Sequence, residues 1–118
     1  MNIEEFRDYC LTLPYVTEEF PFGPETLVYK VGGKMFALSS LDWEGFRINL
    51  KNTPEKNEEL RADYDFIVGG YHMNKKHWNT VIVDFRMTKQ LFLSLINESY
   101  QLVYEGLSKK EKEKLVNL

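Results

Sequence analysis

The sequence has little cysteine and no long apolar run, and each scarcity excludes something. One cysteine in 118 residues, Cys10, leaves no internal disulfide to staple the fold. Its place within a helical pattern marks it as a buried, inert thiol. Short runs such as Val81-Ile82-Val83 are far below the roughly 20 apolar residues that span a bilayer. The start, Met-Asn-Ile-Glu-Glu-Phe-Arg-Asp, has neither the basic region nor the apolar stretch of a secretory signal. A cytoplasmic protein that does not engage the membrane is therefore expected. The net charge of −3 argues against a purely electrostatic nucleic-acid binder.

Catalytic signatures are missing too. No G-x-S-x-G elbow is present, and neither Gly32-Gly33 nor Gly69-Gly70 leads into a phosphate loop or a dinucleotide fingerprint. Glu18-Glu19 and Glu58-Glu59 are adjacent in sequence and read as solvated acids, so no acid–base pair is placed. His72 and His77 are five apart, where a helical metal pair needs three or four and a strand two. No enzymatic activity, cofactor or metal is expected.

What is present is material for one core: 43% hydrophobic and 14% aromatic residues, in a chain long enough for a single domain. Residues 1–118 read as one unit, with a core over about 2–107 and a charged tail helix over 108–118. Asn2 with Glu5 opens a first helix over about 3–13, closed by Pro14. Residues 14–26 read as an irregular loop pinned to the core by Phe20 and Phe22. Strands follow at Leu27–Val31 and Lys34–Ser40 around a Gly32-Gly33 hairpin, then at Arg47–Lys51. Thr53-Pro54 starts a second helix that runs to about Tyr64. Residues 66–73 are ambiguous, and Asn79–Phe85 is a β-branched strand. Thr88 caps a third helix with the stripe Phe92, Leu95, Ile96, Tyr100, Val103, Leu107, ended by Gly106. The order, roughly α-β-β-β-α-β-β-α, predicts an α+β fold with an antiparallel sheet of about five strands packed by about three helices.

Charge is uneven along this order. Residues 1–26 hold six acids against one base, and residues 52–65 five against two. The excess basic charge lies in 27–51 and 66–90, the strand-rich segments. The densest polar-aromatic stretch runs from Gly69 to Thr80 and includes Tyr71, His72, Asn74, Lys75, Lys76, His77, Trp78 and Asn79. Ammonium groups and amides in that mixture suit an anion, and Trp78 or Tyr71 could stack a base. The plainer reading makes Trp78 a core anchor and the lysines solvated. Arg47, Asn49 and Lys51 share one strand face by alternation, as the wet side of a sheet or as an extension of that basic surface.

Several stretches carry a resemblance: Phe20-Pro21-Phe22-Gly23, Val31 through Ala37, Ile48-Asn49-Leu50-Lys51 and above all Gly70 through Val81. On them the chain resembles the MmcQ/YjbR family of small bacterial proteins over almost its whole length. The resemblance implies a YjbR-like α+β fold of the kind shared with frataxin-like and secretion-chaperone-like domains. It implies no particular activity or cofactor, though family members are often named DNA-binding. It marks Arg47, Asn49, Lys51 and the run Asn74 to Asn79 as the characteristic polar residues. The leading expectation is a binding module for DNA or another polyanion. A protein-interaction adaptor, self-association, small-molecule binding beside the Phe20-Pro21-Phe22 loop and a frataxin-like iron role at Glu4, Glu5 and Asp8 are the rivals.

Overall fold

A computed structural model describes residues 1–117. The elements are α1 (Ile3–Thr12), β1 (Val16–Glu19), β2 (Thr26–Val31), β3 (Lys34–Ser40), β4 (Arg47–Lys51), α2 (Pro54–Asp63), β5 (Ile67–Gly69), β6 (Trp78–Ile82), α3 (Lys89–Glu105) and α4 (Lys109–Val116). The helix boundaries follow their caps. The side chains of Asn2, Thr53 and Thr88 accept from the N–H groups of Glu5, Lys56 and Leu91. Ser108 and Glu111 form a reciprocal capping box at α4. Gly106 caps α3 at its end.

One antiparallel sheet holds all six strands in the order β1-β2-β3-β4-β6-β5. This is the expected α+β architecture with one strand more than the sequence predicts. The addition is β1, from the segment read as an irregular loop. Its Val16-Thr17-Glu18-Glu19 pattern is too short and too acidic to stand out by β propensity. The ambiguous stretch after Phe66 contributes β5.

The helices cover one face of the sheet. Phe6 and Cys10 of α1, Leu60 of α2 and Phe92, Leu95, Ile96, Tyr100 and Val103 of α3 share one core with Tyr29, Phe36, Ile48 and Val81. Each large side chain buried there contributes roughly 1.5–3 kcal/mol. Ser99 ties α3 to the sheet: its hydroxyl donates to Phe36 O and accepts from Lys51 N–H at 2.8 Å. The opposite face carries a smaller cluster of Val28, Leu38 and Trp78, bordered by Met35, Trp43 and Met73.

Two local expectations fail. Phe20 and Phe22 do not pin their loop; both are exposed, Phe22 by 61%. The last predicted strand runs Trp78–Ile82 rather than Asn79–Phe85. Asp84 and Arg86 close a turn there, with hydrogen bonds from Arg86 to the Asp84 carboxylate at 2.6 and 3.0 Å, and this leaves Phe85 95% exposed. No helix among the described residues is long and apolar enough to cross a membrane.

Candidate functional site

The sheet register decides where the polar residues fall. Lys51 pairs with Trp78, Asn49 with Thr80 and Arg47 with Ile82. The third predicted strand and the lysine-histidine-tryptophan segment are thus direct neighbours. Lys51, however, sits beside the 74–77 loop, and Arg47 lies four residues away at the other end of β4, roughly 13 Å along the strand. Its guanidinium Nε donates to Glu44 O at 2.9 Å. Arg47 therefore does not join the loop's surface.

Three other predicted contact residues are structural. Asn49 is fully buried. Its amide Nδ2 donates to Tyr71 O at 2.9 Å, and its Oδ1 accepts from Thr80 Oγ1 at 2.6 Å. Thr80 Oγ1 in turn accepts from Tyr71 N–H at 2.7 Å. This ring fastens the start of the loop to the sheet. Buried polar groups need such partners, because an unpaired one costs about 1–3 kcal/mol. Asn79 is buried on the opposite side, donating to Asn57 O at 3.2 Å and accepting from Arg61 at 3.3 Å. Trp78 is buried in the smaller apolar cluster. Its indole is a core anchor and offers no stacking platform. Strand alternation explains the split: a wet face was expected for Arg47, Asn49 and Lys51, but the loop folds back over the middle of that face.

The loop's own geometry is built from Asn74. Its Oδ1 accepts from Lys76 N–H at 2.9 Å. Its backbone O accepts from His77 N–H at 3.2 Å and Trp78 N–H at 3.0 Å. The next three carbonyls are tied from beneath. Lys75 O accepts from Arg61 at 2.8 Å, Lys76 O from Asn57 Nδ2 at 3.2 Å, and His77 O from Asn52 N–H at 3.1 Å. Gly70 admits the close return of the chain: a Cβ there would stand 2.7 Å from Trp78 Cβ and 2.9 Å from Trp78 O.

With every carbonyl of 74–77 engaged, Asn74, Lys75, Lys76 and His77 remain exposed residues. Lys75 is partly committed, since its ammonium donates to Gly70 O at 3.3 Å. Among the described residues, no carboxylate lies within 4.0 Å of Lys51, Lys75, Lys76 or His77. The N-terminal ammonium, Arg7, Lys30, Arg86 and Lys112 are the cations held in ion pairs among the described residues, all elsewhere. Of the predicted contact residues, Arg47 aside, Lys51, Asn74, Lys75, Lys76 and His77 are the ones that are neither buried nor held in an ion pair.

Sequence reasoning missed Asn52, Asn57 and Arg61, which hold the loop's carbonyls. Asn57 and Leu60 are the buried residues of α2. An asparagine on the inward face of an otherwise charged helix was the available signal. One lone pair remains: Asn57 Oδ1 is buried with no protein partner among the described residues.

The chemistry elsewhere is quiet. Burial pushes the Cys10 thiol well above its ordinary pKa, so it is a poor nucleophile. Glu18 accepts from Arg7 at 2.7 and 3.2 Å and from Tyr29 OH at 2.8 Å. The Arg7 hydrogen bond holds its carboxyl below the usual range, while burial and Glu18 push Tyr29 up. That triad joins α1 to β1 and β2. Among the described residues, no group of three or more His, Cys, Asp and Glu side chains could hold a metal ion.

Comparison with known proteins adds sequence and fold relatives. A family model described as YjbR matches residues 11–102. The uncharacterized protein YbdF of Escherichia coli O157:H7 is 42% identical over 113 residues, covering 95% of this chain and 92% of that one. The uncharacterized protein YjbR of Escherichia coli K12 is 28% identical over the full length of both. The crystal structure of Deinococcus radiodurans DR2400, a DUF419-domain protein, superposes with a TM-score of 0.88 at 41% identity, covering 97% of this chain and 87% of that one. A crystal structure from Pseudomonas syringae gives 0.75 at 30% identity, with 87% and 99% covered.

Proposed function

The chain belongs to the YjbR family, and from that premise we propose that it is a non-enzymatic binding module that grips a polyanion, DNA in the first instance, through Lys51, Asn74, Lys75, Lys76 and His77. The bacterial source of its relatives, together with a single buried thiol, supports a bacterial cytoplasmic setting.

One observation carries the reading. The three carbonyls of Lys75, Lys76 and His77 are held by Arg61, Asn57 and Asn52, so the loop backbone is fixed with Lys76 and His77 exposed, while the Lys75 ammonium stays partly committed to Gly70 O. A phosphate chain meeting that loop finds ammonium groups with no carboxylate to displace. Preorganisation lowers the cost of ordering the loop on binding. The exposed amide of Asn74 and the ring of His77 add directed hydrogen bonds. Arg47 takes no part in this surface. Neither do Asn49, Trp78 and Asn79, whose side chains act by holding the loop in place.

The test is titration of a fluorescent DNA duplex with the full chain at low salt. Binding at micromolar protein that weakens steeply between about 50 and 200 mM salt supports the reading. No binding at low salt would remove it.

A second reading, a protein-interaction adaptor, is favoured by a separate observation. The loops at the far end of the sheet carry Phe20, Phe22, Leu41 and Phe85, all exposed. Backbone hydrogen bonds from Leu41 to Glu25 O and from Val83 to Phe46 O, both 2.9 Å, stitch those loops side by side. Exposed aromatics gathered at one end suit a protein partner. Removing Lys75 and Lys76 would leave such a partner bound, whereas changing Phe22 and Phe85 to serine would release it.

A further inference from the structure

The two edges of the sheet are not alike. At the β5 edge the strand is only Ile67–Gly69. The Lys75 side chain lies across it, with Cγ and Cδ 3.1 Å from where a Gly69 Cβ would stand. Short length and a lysine laid over the edge are ordinary guards against strand addition.

The β1 edge is also short, at four residues with two glutamates, but among the described residues no lysine is laid over it. Val16–Glu19 pairs with β2 in unbroken register, with no proline, lysine or bulge in the strand. Val16 N–H turns away from β2 to Leu13 O, at 3.4 Å. The ladder to β2 therefore falls to Thr17 and Glu19, and by alternation the Glu18 N–H and C=O face the outer edge. Both carboxylates of the strand are already engaged, Glu18 by Arg7 and Tyr29 and Glu19 by Thr17 and Lys30. They do not repel an incoming chain as free charges would.

A groove of about 930 Å³ runs beside this strand, between it and α4. Its apolar wall includes Tyr15, Val16, Leu115 and Val116. Three charged residues line it: Glu19, Glu111 and Lys114. Glu19 is paired and Glu111 is spent in the α4 cap. Lys114 has no carboxylate within 4.0 Å among the described residues. The groove thus offers backbone hydrogen-bonding groups, an apolar wall and one uncommitted positive charge.

We propose that β1 takes an extended peptide segment of another protein as a seventh strand, with alternate apolar side chains against Tyr15, Leu115 and Val116 and a carboxylate facing Lys114. Exposed edge groups ask for a backbone, and the side chains of the added strand supply the selectivity. A second copy of this chain is the weaker occupant. Pairing β1 with its two-fold mate would bring α4 of each copy toward the same junction, where Lys109, Lys110 and Lys114 outnumber Glu111 and Glu113 and Lys112 is already paired with Glu105, so the net positive charges repel.

The experiment uses the full chain and an array of synthetic dodecapeptides alternating Val, Ile or Leu with Thr, Asp or Lys. Peptides carrying Asp should bind better than their Lys counterparts. N-methylation of alternate peptide amides should weaken binding at least about tenfold, as should Val116→Asp, a change at an exposed position. Amide exchange at Glu18 should slow in the complex. Lack of binding by any peptide at millimolar concentration would overturn the proposal. Binding indifferent to N-methylation would do the same. So would a peptide-free protein that self-associates and already protects the Glu18 amide.

Discussion

The side-chain amide of Asn57, on α2, donates to Lys76 O at 3.2 Å and to Asn52 O at 3.3 Å, spanning the β4–α2 connection and the basic loop with one buried group. Replacing it with leucine leaves two carbonyls without that donor. Asn57→Leu should destabilise the fold by about 1–3 kcal/mol, read as a lower urea midpoint with an unchanged m-value. DNA affinity should also fall, although no charge is lost, because the loop loses its preorganised backbone.

Gly70 gives a second structural check on the same loop. A Cβ at this position would meet Trp78 Cβ and Trp78 O inside van der Waals contact. Gly70→Ala should lower stability by about 1–3 kcal/mol through backbone displacement. An unchanged melting temperature would show that the return of the chain past Trp78 is looser than described.

The surface cations should behave in the opposite way. Lys51→Ala and Lys76→Ala should each shift stability by no more than about 0.5 kcal/mol, yet each should make the salt dependence of duplex binding shallower by roughly 0.9 in the log–log slope. Arg47→Ala should leave that slope alone, because Arg47 stands at the other end of β4. Chemical denaturation and anisotropy titrations on the same preparations separate the two effects.

The Arg7–Glu18–Tyr29 triad sets an acid-side dependence. The Glu18 carboxyl is held below its ordinary pKa first by the Arg7 hydrogen bond, so its stabilising contribution is complete above the unfolded carboxyl value of about 4.3. The contribution fades as pH falls through the lower folded value. Glu18→Gln should be less stable at neutral pH and lose less stability than the parent on acidification over that window. Parallel slopes of melting temperature against pH would contradict this.

Cys10 should be silent while the protein is folded. Its thiol is fully buried, and burial raises its pKa. A thiol reagent should fail to label it at neutral pH and should react with one equivalent in denaturant.

The helices and most strands were legible because their signals are local. Asn2, Thr53, Thr88 and Gly106 act as the caps they resemble, and the α3 stripe from Phe92 to Leu107 is buried throughout. β1 was not legible, because Val16–Glu19 becomes a strand by pairing with β2 and carries almost no β pattern of its own. The turn after Ile82 was hidden for a related reason. Phe85 looks like strand continuation, but the Asp84–Arg86 pair turns the chain and leaves the ring in solvent. At the site, the sequence left open whether β4 and the lysine-rich loop are neighbours, and only the β4–β6 register makes them so. It could not show that Asn49 and Asn79 spend their amides on Tyr71 and Asn57, because an asparagine that binds a ligand and one that binds a carbonyl are the same residue in a string of letters.

The most direct measurement is the salt dependence of duplex DNA binding by the parent chain and by a Lys51→Ala, Lys75→Ala, Lys76→Ala triple variant of matched thermal stability. The parent should show a log–log slope of about −2 to −3, and the variant a slope near zero with binding largely lost. A variant that keeps the parent's slope and affinity would contradict the assignment of the polyanion site to this loop.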